Sequence, residues 1–278
     1  MHVSAPASSA NLGPGFDCLG LALDLPFELA TAADAPDGFL PVEPTHPAAV
    51  AFTAAGGSAE HGLRWRSPIP PGRGLGFSGA ARVAGAYLAG RLDGLDHDAA
   101  RDGAYVVATE LEGHPDNAAA SVHGGFTVAV EDRVVSLPVP ASLRVLVWSP
   151  KGEVSTDASR LVLADRVALA DAAYSIGRSA LWVAAIASGE LGALRAACQD
   201  RLHQPARLAA RPDAAAVLEH LLGIDAVLAA WLSGSGPTIA ALVDGALDGA
   251  LDPEGLPAPG QVRTLEVAPR GVHARSNS

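Results

Sequence analysis

Pro70-Pro71-Gly72-Arg73-Gly74-Leu75-Gly76-Phe77-Ser78-Gly79-Ala80-Ala81 decides how the chain is read. The two prolines favour extended or turn geometry. Gly72, Gly74 and Gly76 follow at alternate positions, where glycine permits positive φ and lets a ligand approach the backbone closely. The run Ser78–Leu88 then reads as a tightly packed helix of small residues. A glycine loop feeding a helix N-terminus presents unpaired N–H groups and the positive end of the helix dipole, which is an anion site, with phosphate the usual anion. The loop is neither a Walker A sequence nor the spaced dinucleotide fingerprint. A helix packed on a glycine turn is the simpler reading, and the loop alone leaves both open.

Bulk properties narrow the field. The 278 residues allow one large domain or two modest ones. A hydrophobic fraction of 49% with 30 glycines and 21 prolines supplies a full core with many turns, and only 5% aromatics leave alanine and aliphatics to build it. A net charge of −11 argues against nucleic acid or an anionic membrane as partner. Cys18 and Cys198 form neither a disulfide framework nor a metal pattern, and reduced thiols in a cytoplasmic protein are the expectation. Met1–Pro6 has no signal-peptide character, and no stretch reaches the ~18 apolar residues of a membrane span.

Outward from the loop, Met1–Ala7 reads as a strand, Ser8–Asp17 as a glycine-punctuated loop, and Cys18–Leu29 as a strand with Leu19, Leu21, Leu23 and Leu25 alternating. Thr31–Pro47 is loop-like, Ala48–Ala55 a short helix, and Leu63–Arg66 a strand. Asp98–Leu111 is helical, with Ala104, Val107, Ala108 and Leu111 at helical spacing. Glu110-Leu111-Glu112-Gly113-His114-Pro115-Asp116-Asn117 breaks it; five polar or charged residues in eight positions are unusual for a connector, although glycine after a helix is a standard cap. Thr127–Val130 and Val134–Pro140 are strands, and Pro138 and Pro140 suggest a domain boundary. Beyond it, strands are expected at Leu143–Trp148, Ala226–Leu232, Ile239–Val243 and Gln261–Val267. Helices are expected from Ser155, at Arg166–Ser188, Leu191–Leu202 and Ala214–Leu222; Leu247–Leu256 reads as loop or short helix and Arg270–Ser278 as disordered.

Four strings carry a family resemblance. Loop 70–81 resembles the Pro-x-x-x-Gly-Leu-Gly-Ser-Ser-Ala signature of the GHMP kinases, with Phe77 in place of the first serine and Ser78 in place of the second. Ser233-Gly234-Ser235-Gly236-Pro237-Thr238 matches the loop that in those enzymes lies over the nucleotide phosphates. Ser9-Ala10-Asn11-Leu12-Gly13-Pro14-Gly15-Phe16-Asp17 and Leu111-Glu112-Gly113-His114-Pro115-Asp116-Asn117 resemble the homoserine kinase family in particular. The resemblance runs from about Val3 to Val243. Thr45-His46-Pro47 departs from it, lacking the asparagine-led segment near the adenine pocket.

The resemblance implies a two-domain α+β GHMP kinase fold: residues 1–141 as an ATP-binding domain of the ribosomal-protein-S5-domain-2-like type, and 142–278 as a ferredoxin-like α/β sandwich. It implies phosphorylation of the side-chain hydroxyl of L-homoserine by ATP with Mg²⁺, in threonine biosynthesis, by a cytoplasmic enzyme; a homodimer is left open. Pro70, Gly72, Arg73, Gly74, Leu75, Gly76, Phe77, Ser78, Gly79 and Ala80, with Ser233, Gly234, Ser235 and Gly236, would hold the nucleotide. Ser78 and Glu112 would hold the metal, Glu110 being the competing acid. Asp17 suits the acceptor's ammonium, and Arg160 and Arg207 its carboxylate, because a guanidinium offers a planar donor fork. Asn11, His114, Asp116 and Asn117 complete the acceptor site, with Asn11, Thr156 and Arg160 as the catalytic set and no evident base. Phe77 is expected to turn its ring into apolar surroundings. A GHMP kinase for another small alcohol and a silent ligand binder are the alternatives.

Overall fold

The computed structural model describes residues 1–152, 156–245 and 255–275; Ser155 and most of Leu247–Leu256, for which expectations were stated, lie outside them. In chain order the strands are β1 (His2–Ala10), β2 (Leu19–Thr31), β3 (Leu40–Pro41), β4 (Leu63–Arg66), β5 (Phe126–Val130), β6 (Arg133–Leu137), β7 (Leu143–Ser149), β8 (Val227–Leu232), β9 (Ile239–Asp244), β10 (Gln261–Glu266) and β11 (His273–Arg275). The helices are α1 (Pro47–Ala54), α2 (Phe77–Leu92), α3 (His97–Glu112), α4 (Asp116–His123), α5 (Thr156–Leu161), α6 (Leu169–Ser188), α7 (Leu194–Ala197), α8 (Gln204–Ala209) and α9 (Pro212–Leu222). Among the described residues no helix is long and apolar enough to cross a membrane.

Two antiparallel sheets organise the mixed α and β elements. The first runs β11-β1-β2-β4-β3, with β5 also on β2 and β6 on β5. β2 is long enough to take different partners along its length: Glu28–Thr31 pair with β4, and Leu19–Leu21 with β5. The β1–β2 register slips at Pro6/Ala7, where Pro6 faces Pro26. Neither proline can donate to the ladder, so a bulge is the natural solution. α2 lies against β1 and β2 with Ala80, Ala81, Val83 and Ala84 fully buried. Small residues allow its close approach to α1: a Cβ on Gly85 would sit 2.2 Å from the Ala48 carbonyl oxygen.

The second sheet runs β10-β7-β9-β8. β7, β8 and β9 are apolar on both faces. Val145, Val147, Trp231, Ala240 and Leu242 join the main core, while Leu146, Trp148, Leu232, Ile239 and Ala241 pack with Val217 and Leu221 of α9. That is why β7, β8 and β9 read as continuous apolar runs. Trp182 of α6 joins the two sheets, stacked on Phe126 of β5 at 6.0 Å and edge-on to Trp231 of β8 at 5.7 Å.

Several elements differ from the sequence expectation. β1 continues through Ser8–Ala10, which were expected in a loop. α2 starts at Phe77, one residue early, and α6 starts at Leu169 rather than Arg166. The helix expected over 191–202 is a 3-10 turn followed by the four residues of α7. α4 and α8 were not expected. α4 follows directly on a glycine-capped helix end, and α8 is capped from outside by Asp200, whose carboxylate accepts from the Leu202, His203 and Gln204 amides. Most of the tail expected to be disordered is placed: Val272 is buried, its amide donates to the Ser121 carbonyl, and β11 pairs with β1.

Candidate active site

The four sequence strings meet where the two sheets adjoin. Gly72, Gly74 and Gly76 all take positive φ, 64°, 72° and 66°. Gly76 caps α2 with no side-chain hydrogen bond, and the first turn of α2 holds no acid. The first amides of α2 are therefore left for an anion. The turn is wedged on both sides: a Cβ on Gly74 would meet the Ser233 carbonyl oxygen at 2.2 Å, and one on Gly76 the Ser8 Oγ at 2.0 Å. Ser233 Oγ, buried, donates to the Gly74 carbonyl at 2.6 Å and lies 2.7 Å from Ser9 Oγ, so loop 233–238 is latched to the glycine loop and to β1.

After β1 the chain turns sharply. Asn11, Leu12 and Asp17 have φ of 72°, 44° and 54°, a left-handed conformation that asparagine and aspartate tolerate best. Asn11 Nδ2 donates to the Gly234 carbonyl at 2.9 Å, and Asn11 Oδ1 accepts from the Asp17 amide at 3.0 Å. The side chain thereby ties the loop after β1 to loop 233–238.

One cleft gathers most of the expected residues. Asn11, Asp17, Gly72, Arg73, Gly74, Gly76, Phe77, Ser78, Glu112, His114, Asp116, Asn117, Arg160, Arg207, Gly234, Ser235 and Gly236 line it. Pro70, Leu75, Gly79, Ala80 and Ser233 do not line it; Leu75, Gly79, Ala80 and Ser233 are buried behind it. Thr156 opens α5, and its side chain lies outside the described residues.

The charged groups divide by face. Arg160 donates from NH1 and NH2 to Asp17 Oδ2 and Oδ1, at 3.0 and 2.7 Å. His114 Nδ1 lies 2.6 Å from Asp116 Oδ1, which also accepts from the Asn117 amide at 2.8 Å. Asn117 Oδ1 accepts from Ser8 Oγ at 2.9 Å, leaving Nδ2 with only a long bond to Asp116 of 3.3 Å. The ligand atoms of Asp17, His114 and Asp116 approach within 4.8 Å of one another, but Arg160 and His114 already engage the two carboxylates.

Arg207 is held by neutral acceptors: Nε to the Ser159 carbonyl at 3.3 Å, NH1 to the Gly234 carbonyl and to His203 Nδ1, both at 3.2 Å. His203 Nε2 lies 2.6 Å from the Gly13 carbonyl. A carbonyl only accepts, so Nε2 carries the proton and Nδ1 is free to accept from the guanidinium. His203 is thus neutral, in keeping with burial that holds its basicity below the usual range. Burial, then the Arg160 charge, also lower that of Arg207. Phe16 stacks on His203 at 5.1 Å, with the Arg160 and Arg207 guanidiniums 5.4 and 5.3 Å from its ring centre. Phe16, Asp200 and His203 were not singled out from sequence, although Phe16 stands inside the string Ser9–Asp17 and Asp200 and His203 lie shortly before Arg207.

Glu112, at the end of α3, is almost wholly buried, whereas Glu110 is exposed. Buried Glu112 Oε1 has no hydrogen-bond partner of acceptable geometry, although the Arg82 guanidinium lies against the carboxylate. With Ser78 Oγ on the same cleft, these oxygen donors suit a hard divalent cation. The Phe77 ring packs edge-on to Phe27 and Trp65, at 5.6 Å from each, and to His46 at 5.8 Å. These are the apolar surroundings expected for it.

Comparison with known proteins identifies the family and the fold. Residues 45–125 match the model of the GHMP kinases N terminal domain, and residues 182–252 that of the GHMP kinases C terminal. The homoserine kinase of Thermus thermophilus is 46% identical over 250 residues, covering 85% of each chain. That of Caldicellulosiruptor bescii is 37% identical over 263 residues, covering 88% of this chain and 84% of its own. The crystal structure of homoserine kinase from Cytophaga hutchinsonii superposes with a TM-score of 0.79 at 27% identity, covering 99% of this chain and 97% of that one. Lactococcus lactis galactokinase, at 12% identity and a TM-score of 0.67 over 99% of this chain and 95% of its own, shares the fold. By sequence match and by fold, the chain belongs to the homoserine kinase family of the GHMP kinases.

Proposed function

We propose that this protein transfers the γ-phosphoryl group of ATP to the side-chain hydroxyl of L-homoserine, giving ADP and O-phospho-L-homoserine, in threonine biosynthesis. The observation that carries the reading is the juxtaposition in one cleft of an uncapped helix N-terminus behind a positive-φ glycine loop with Asp17, Arg160 and Arg207. The first half suits phosphates and the second suits an amino acid.

The amides of Gly74–Ser78 and the closing loop 233–236 hold the β- and γ-phosphates. Ser78 Oγ and the Glu112 carboxylate are the donors that would hold Mg²⁺, and when bound it neutralises charge on the phosphate oxygens. Arg160 and Arg207 together take the acceptor's carboxylate and Asp17 its ammonium. Asn117 Nδ2, weakly engaged within the protein, and Asn11 orient the hydroxyl. Asp17 and Asp116 are already engaged by Arg160 and His114. Transfer therefore rests on positioning and electrostatics, and the hydroxyl proton passes to an oxygen of the transferred phosphoryl group. Buried Cys198 and half-buried Cys18, both unpaired, support a cytoplasmic location.

The test is ADP release with Mg²⁺ and homoserine, serine, threonine or mevalonate as acceptor. Fast turnover with homoserine alone is expected. Preference for mevalonate would favour another GHMP activity, and no release with any acceptor would favour the silent binder.

A further inference from the structure

The acceptor cleft is already paired internally. Arg160, on α5, grips Asp17 with both terminal nitrogens across 143 residues of sequence. The Asp17 backbone is held by its left-handed φ of 54° and by the bond from its amide to Asn11, so the carboxylate is the fixed end of the pair. Arg207 differs, because the acceptors that hold it, Ser159 O, Gly234 O and His203 Nδ1, are all neutral. The Phe16 ring stacks on His203 and has both guanidiniums within 5.4 Å of its centre. The cleft thus offers one cation held by neutral atoms and a second cation already matched to the acid that an ammonium would need.

We propose that the Asp17–Arg160 pair is a charge gate that admits zwitterions and rejects alcohols carrying a single charge; the proposal rests on the homoserine reading above. A zwitterion exchanges one ion pair for two. Its ammonium takes Asp17, and its carboxylate takes Arg160 alongside Arg207. A carboxylate without an ammonium must draw Arg160 away and leave Asp17 unmatched. An ammonium without a carboxylate must displace Arg160 from Asp17 and leave Arg160 without its acid. Separating a matched pair and leaving one member alone forfeits the attraction between the two with no new partner for the charge left behind. Discrimination then comes from the penalty on the wrong ligand as well as from contacts to the right one. The nearby Asp116 and His114, within 4.8 Å of the Asp17 ligand atoms, engage each other and do not relieve the mismatch.

Independent contacts and a gate predict different signs. If Asp17 and Arg160 acted separately, removing Asp17 would leave the binding of a carboxylate-only ligand unchanged. With the gate, Asp17→Asn releases Arg160 from its acid and strengthens that binding. The probes are γ-hydroxybutyrate, which is homoserine without its amine, and γ-aminopropanol, which is homoserine without its carboxylate. Dissociation constants are read by ligand-observed NMR titration of the full chain. Asp17→Asn is expected to bind γ-hydroxybutyrate about tenfold more tightly than the parent, and Arg160→Gln to bind γ-aminopropanol about tenfold more tightly, within the usual range of coupling between sites. Both variants lose homoserine affinity. Unchanged or weaker binding of either analogue by its matching variant overturns the gate, because the exchange requires both ends. Asparagine tolerates positive φ, and Asp17→Gly serves as a second variant should the first not fold. ADP release from the parent with homoserine is measured alongside. Absence of turnover with the tenfold gains intact would refute the homoserine reading and leave the gate standing.

Discussion

Glu112, Arg207 and Phe77 each make a claim that one substitution can check. Glu112 and Glu110 stand two positions apart on α3, and their contrasting burial separates them where sequence did not. Glu112→Gln keeps the shape and loses the charge, so kcat should fall by more than about tenfold with the fold intact, since a lost charge-assisted contact is worth about 1.5–3 kcal/mol. Near-normal turnover in Glu112→Gln combined with loss in Glu110→Gln would reverse the assignment. Arg207→Ala should raise the homoserine KM about ten- to a hundredfold on the same scale and leave the ATP KM near its parent value. Equal effects on both substrates would mean that the loss of the bond to the Gly234 carbonyl disturbs loop 233–236 rather than acceptor binding. For Phe77→Ser, the aromatic neighbours set the cost. The ring is half-buried against Phe27, Trp65 and His46, so destabilisation of about 2 kcal/mol is expected, below the ~3–5 kcal/mol of a fully buried Phe→Ala change. ATP affinity by calorimetry should change little, because backbone amides need no side chain to bind phosphate. A large gain in ATP affinity would show that the ring obstructs the site.

At the scale of elements, what was legible follows from how local its determinants are. β7, β8 and β9 announce themselves as apolar runs because both faces of their sheet are covered. The glycine loop and α2 are legible because positive φ at Gly72, Gly74 and Gly76 is a demand that only the local sequence can meet. The cleft was legible for a related reason, since its lining comes from a few short strings that the chain keeps contiguous. α8 was not, because its cap lies outside it, in Asp200, and its buried face carries Gln204 and Arg207 rather than an apolar stripe. Gln204 Oε1 accepts from the Leu232 amide at 2.7 Å, a contact that no periodicity encodes. β11 was hidden for a similar reason: a polar tail becomes a strand where Arg275 reaches Glu28 on β2 and where Gly271 presses against the Val122 carbonyl. Phe16 and His203 act on Arg207 through space, so only the assembled site reveals their part.

For the whole molecule, pH is the variable on which many groups act together. Burial holds His2, His46, His123 and His203 below the ordinary histidine value of 6.5. For Glu28, burial acts upward, but the Arg66 fork and the charges of Arg66, Arg275 and His2 outweigh it and hold the carboxyl below 4.5. Asp213 is lowered chiefly by its hydrogen bond from Arg211. A histidine kept neutral in the folded state binds its proton more readily when unfolded, so its contribution is complete above pH 6.5 and is lost as pH falls toward the depressed folded value. The lowered carboxyls keep theirs to lower pH and lose it as pH falls from the ordinary carboxylate range through the depressed values. Opposing the histidine step, the net charge of −11 shrinks as pH falls toward the isoelectric point near 5.2, which relieves self-repulsion. At about 0.15 M salt the Debye length is roughly 8 Å, so the diffuse surface term is largely screened while the buried groups are not. The melting temperature at that ionic strength should therefore be flat from about pH 8 to 7, decline in a first step below pH 6.5 from the histidines, and decline again below pH 4.5 as Glu28 is protonated. Scanning calorimetry across this range reads both steps. A melting temperature that holds or rises between about pH 7 and 5 would mean that relief of charge repulsion, rather than the buried histidines, governs acid stability.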